Sequence, residues 1–169
     1  MLRAFVLTAI VLLTAAGSIS PSAAGPAIEN TEKEQYLNQL KIQHATSSER
    51  TALLAQVNSL LNEHALLKGY QVGRPQAADW LYSVRIAQPG TLLVRLEQRH
   101  ASGAVEVSSQ LLQLYGITPF FSYSCERSHA KCNILHESRS EPLLQIIRRP
   151  EAASELSRAL SYLVRELQR

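Results

Sequence analysis

Between Trp80 and Leu96 the chain changes side-chain character every second residue, on both sides of Pro89-Gly90. Trp80, Tyr82, Val84 and Ile86 alternate with Leu81, Ser83 and Arg85, and Leu92, Val94 and Leu96 alternate with Leu93, Arg95 and Glu97. A period of two places each set on one face of a strand, and a Pro-Gly pair between two such runs reads as a hairpin. Parity then sets the register. Opposing Val84 to Val94 keeps both apolar rows on one face, which requires an odd-numbered loop, whereas a two-residue turn would oppose Val84 to Arg95.

Helical spacing dominates the flanks. Residues 26–31 form a short polar lead, and Thr31-Glu32-Lys33-Glu34 fits a capping box that starts a helix carrying Tyr36, Leu37 and Leu40. A second box, Thr46-Ser47-Ser48-Glu49, predicts a restart or a break. Leu53, Leu54, Val57, Leu60, Leu61, His64 and Leu67 follow at three- and four-residue steps, with Gly69 as the expected C-cap. This stripe either packs on the sheet or pairs with a second chain. Pro150 opens a final helix whose buried stripe is Leu156, Leu160, Leu163, Val164 and Leu167.

Residues 103–115, GAVEVSSQLLQLY, place Ala104, Val107, Leu111 and Tyr115 on one side of a helix, although AVEV alone fits a strand equally well. TPFFSYSC, KCNILHES and EPLLQIIRR then read as three short strands. The resulting order, β-β-α-β-β-β-α after an N-terminal helical segment, predicts an α+β protein: an antiparallel sheet with helices packed on one face.

The first residues, MLRAFVLTAIVLLTAAGSIS, carry one basic residue, a continuous apolar run and then small residues up to Ala24. This is the layout of a secretory signal peptide, and the apolar core is short for a spanning helix. The expected organisation is a signal peptide over 1–24, a helical segment over 25–73 and an α+β domain over 74–169. The expected location is the periplasm or outside the cell.

An oxidising compartment changes the meaning of the only two cysteines, Cys125 and Cys132. Their C-x6-C spacing is wider than the turn that presents two thiolates to zinc, and His129, His136 and His100 have no ligand spacing to them. Nor do they form the C-x-x-C turn of thiol redox centres. A disulfide across a hairpin fits instead: Glu126 opposes Lys131, Arg127 opposes Ala130, and Ser128-His129 form the tip.

Motifs for a serine nucleophile, a metalloprotease, a phosphate loop or a calcium loop are absent. Asp79 is the only aspartate, and no second carboxylate is tied to it by spacing. No catalytic residue, metal or cofactor is therefore assigned, and the chain reads as a non-enzymatic accessory or assembly protein. The formal net charge of +3 is too mild to imply nucleic acid. The expected partner is another protein or a second copy, met through Arg127, His129 and Lys131 at the stapled tip with Arg148 and Arg149 farther along. Contact of the last helix with an anionic membrane surface is a weak alternative, opposed by Glu155 and Glu166. The competing reading is a small hydrolase or ligand-binding protein with a cleft near Asp79 and Trp80.

Overall fold

A computed structural model describes residues 25–125 and 130–169. Two helices, α1 (Gly25–Gln43) and α2 (Glu49–Glu63), precede a short 3-10 turn at Lys68–Tyr70. Six strands follow: β1 (Ala78–Gln88), β2 (Thr91–His100), β3 (Val105–Gln113), β4 (Ser122–Cys125), β5 (Lys131–Leu135) and β6 (Leu144–Ile147). Helix α3 (Pro150–Leu167) closes the chain. The α+β class with N-terminal helices and antiparallel strands holds. The strands are divided into two three-stranded sheets, ordered β1-β2-β3 and β4-β5-β6. The segment 1–24 expected to direct export lies outside the described residues.

The β1–β2 hairpin shows how parity is satisfied. Val84 opposes Val94 as its alternation demands, yet the turn is the two-residue Pro89-Gly90 between Gln88 and Thr91. The odd residue is Ala87, absorbed as a bulge where the register shifts between Ile86 and Gln88. Gly90 sits at φ +70°, and a Cβ there would lie 2.0 Å from the Tyr115 ring, so only glycine fits the turn.

Three local expectations are corrected. Residues 103–115 contain β3 rather than a helix. The helical coincidence of Ala104, Val107, Leu111 and Tyr115 yields to a chain reversal at Gly103, φ +87°, which brings β3 back along β2 without a register break. Pairing with β2 supplies a ladder that an isolated helix with two β-branched valines does not match. Thr31 does not start α1, which already runs from Gly25. Gly69 is not the C-cap of α2: that helix ends at His64, and Gly69 lies in the following 3-10 turn. The break is real, and α2 restarts two residues later than the Thr46 box implies. Ser48 is the N-cap, its Oγ accepting from Thr51 N at 3.2 Å.

One core joins the helices to both sheets. Leu53, Val57 and Leu61 of α2, Val84, Leu92 and Val94 of the first sheet, Cys132, Ile134 and Ile146 of the second, and Leu156, Leu160 and Leu163 of α3 are all at most 2 % exposed. The α2 stripe is thus consumed within the chain. Each fully buried leucine of α3 is worth about 1.5–3 kcal/mol relative to exposure. Helix α1 is fastened to α3 by Tyr36, whose hydroxyl donates to Glu155 Oε1 at 2.7 Å, with the Arg158 guanidinium 4.2 Å from the ring centroid.

Candidate interaction surface

Sheets expose backbone donors and acceptors along their outer strands, and among the described residues this chain caps such groups on β1 and at the end of β6. On β1, the Asn58 side chain of α2 acts as a substitute strand: its Nδ2 donates to Val84 O and its Oδ1 accepts from Val84 N, both at 2.9 Å. Trp80 N donates to Leu66 O at 3.0 Å on the same edge. On β6, Ile147 N donates to His64 O at 2.9 Å. Immediately before β4, Phe121 N donates to Ser161 Oγ of α3 at 3.1 Å, whereas within β4 the outward-facing backbone groups of Tyr123 have no partner among the described residues. These partners satisfy groups that would otherwise remain open for pairing with another chain.

Among the described residues, the longer strand β3 has no such cap along its whole length. Leu114 N donates to Gly90 O and His100 N donates to Ala104 O, so even-numbered positions point their backbone groups at β2. The odd positions, Val105, Val107, Ser109, Leu111 and Gln113, therefore direct theirs at the open edge. Among the described residues those groups have no hydrogen-bond partner. The same residues project onto the outer face, where Val105, Val107 and Leu111 are 56 %, 52 % and 57 % exposed. The strand is nine residues long, carries one charge, Glu106, and has neither proline nor bulge. It lacks the usual devices that blunt an edge.

Beside this apolar strip runs a charged row on β2. Glu97 accepts from Arg99 Nε at 2.7 Å and pairs with Arg95 Nη2 at 2.9 Å. The hydrogen bonds from Arg99 and Arg95 hold its carboxyl below the ordinary glutamate value. Val107 stands directly opposite Glu97, so the surface is an apolar rim beside a polar strip in which two arginines share one glutamate.

The residues singled out in the sequence divide differently. Cys125 and Cys132 are directly opposed across β4–β5 and joined as a disulfide. The tip they close includes Arg127 and His129, which lie outside the described residues. Lys131 donates from Nζ to Gln145 Oε1 at 3.2 Å. Arg148 is tied near it, its backbone N donating to Ala130 O at 2.9 Å, whereas Arg149 lies at the start of α3 beside His64 and Tyr70. His136, a candidate ligand by residue type, is 3 % exposed and fully used: Nε2 faces Thr118 O at 2.9 Å and Nδ1 accepts from Ser138 N at 3.1 Å.

Asp79 and Trp80 point apart. Asp79 accepts from Lys68 N at 2.7 Å and its second oxygen is 3.7 Å from Lys68 Nζ, so it fastens the 3-10 turn. Trp80 forms part of the wall of three clefts. One, about 460 Å³, runs past Tyr82 and Gln110 to Arg139, a second, about 560 Å³, past Gln98 to Arg74, and a small third, about 70 Å³, lies between Leu66, Gln71 and Lys131. Asp79 lines none of them.

Sequence reasoning passed over the β3 edge. Its signal was the alternation Val105-x-Val107-x-Ser109-x-Leu111, weakened by serine at its centre and masked by the helical spacing. No family model, curated protein or solved structure matches the chain.

Proposed function

We propose that this chain is an exported accessory or assembly protein that works through protein–protein contact, with the edge and outer face of β3 as its contact surface. The observation that carries this reading is the length and character of the β3 edge: β1 and β6 are capped by this chain and β4 is only four residues long, whereas among the described residues the nine-residue β3 presents open backbone groups beside an exposed apolar strip. Strand addition at such an edge uses main-chain hydrogen bonds for affinity and alternate side chains for specificity. A photo-crosslinking residue in place of Val107 should capture protein in the exported compartment, and the same residue in place of Arg169 should not. Equal labelling from both positions, or none from either, overturns the reading.

A second reading, a ligand-binding protein, is favoured by one observation. Trp80 is shared by three clefts that also present amide and guanidinium groups, an arrangement of apolar wall and few polar anchors suited to small molecules. A non-protein ligand in contact with Trp80 would support it over the first.

A further inference from the structure

Resting on the interaction reading, we propose that the partner of β3 is β3 of a second copy, antiparallel and centred on Ser109, which fuses two three-stranded sheets into one continuous sheet.

Three independent features of the strand agree on this geometry. The first is hydrogen-bond parity. Only odd-numbered positions direct their N–H and C=O groups outward, so a productive antiparallel partner must place its own outward-facing positions opposite them. A second β3 does so when odd opposes odd. A one-residue slip opposes odd to even and leaves each bond without a counterpart.

The second feature is length. Centring on Ser109 pairs the whole nine-residue strand with itself: Val105 with Gln113, Val107 with Leu111, and Ser109 with Ser109. A shift by two residues preserves parity but leaves the strand ends unpaired.

Side-chain matching is the third. In this register the exposed Val107 of each copy meets the exposed Leu111 of the other on the outer face, twice by symmetry. Directly opposed apolar pairs of this kind stabilise antiparallel strand pairing. Glu106, the only charge on the strand, opposes Leu112 and never its own copy, so no like-charge pair resists association. Small serines at the centre let the two backbones meet without a steric obstacle. The contact is isologous, the same patch on both copies, and it closes with twofold symmetry rather than propagating into a fibre.

The register is tested by cysteine placement on the full chain. Ser109 would face its own counterpart in a hydrogen-bonded pair, at a Cα separation of about 5.5 Å, within reach of a disulfide. Val105 would be about 27 Å from its counterpart. Under mild oxidation Ser109→Cys should form a covalent dimer on a nonreducing gel, and Val105→Cys should remain a monomer.

In parallel, light scattering on the unmodified protein should show its mass doubling as concentration rises. Val107→Pro should abolish that doubling while circular dichroism and melting temperature stay close to the parent. Proline removes an outward N–H that the monomer does not use, a change an edge strand tolerates. If Val107→Pro unfolds, Val107→Lys serves the same purpose, since its side chain is already exposed.

A parent protein that stays monomeric at every concentration, a dimer that survives the edge substitution, or equal crosslinking at Val105 and Ser109 overturns the proposal. A monomeric parent that still crosslinks from position 107 to a different protein would sink the second copy and leave the interaction reading standing. No crosslink to any protein would sink both.

Discussion

Tyr36 shows how one side chain is committed by its surroundings. Burial comes first, and the Glu155 carboxylate accepting from its hydroxyl adds to it; together they push the phenol well above its ordinary value. Tyr82 is pushed up by burial alone. A raised folded-state value means that the folded protein holds a proton the unfolded chain releases near pH 10. The associated stability is complete below that pH and is lost as pH rises above it. Urea unfolding across pH 9 to 11.5 should therefore show a decline that begins near pH 10. Tyr36→Phe should lessen the steepness by up to about 1.4 kcal/mol per pH unit, one proton's worth, and leave the Tyr82 share. An unchanged slope in Tyr36→Phe would refute the assignment.

At the scale of elements, the informative pairing is α2 with β1. Asn58 lies on a helix yet completes the hydrogen bonding of a strand, donating to and accepting from Val84. Asn58→Ala leaves both backbone groups of a 1 %-exposed residue without that partner, a loss of about 1–3 kcal/mol. Denaturant titration should show it as a lower midpoint with an unchanged slope. A loss below about 0.5 kcal/mol would mean that water replaces Asn58 at no cost. The stapled hairpin is the complementary case. Opposition of Cys125 and Cys132 follows from strand parity, and the short closed loop supplies about 2 kcal/mol in the chain-entropy account.

For the whole molecule, the shared core is decisive. Leucines of α2 and α3 and residues of both sheets form one cluster, so the helices and both sheets share a single buried interior. Unfolding should be a single transition, seen at the same denaturant concentration by far-ultraviolet circular dichroism, dominated by the helices, and by fluorescence of Trp80 in the first sheet. Two separated midpoints would show that the helical segment and the strand-rich remainder unfold as distinct units. Cooperativity of this kind also explains why the β3 edge stays open without harm to the monomer. Its outer face contributes little to the core, while its inner face, through Leu112, is 5 % exposed and held.

Much of this architecture was legible in the residues because it rests on local periodicity. The register of Val84 with Val94, the opposition of the cysteines, the three short strands and the α3 stripe are consequences of side chains that must share a face. What the sequence could not decide was where periodicity was ambiguous or where backbone groups found partners far along the chain. Val105 to Leu111 satisfies both a helical and a strand pattern, and only the presence of β2 alongside selected the strand. Ala87 as a bulge, Asn58 as a substitute strand and the division into two sheets arise from contacts between segments well separated in sequence. The sequence by itself determined which faces are apolar. The tertiary structure alone decided which edges are covered, because backbone hydrogen-bonding groups are the same at every non-proline residue and only their spatial neighbours distinguish a closed edge from an open one.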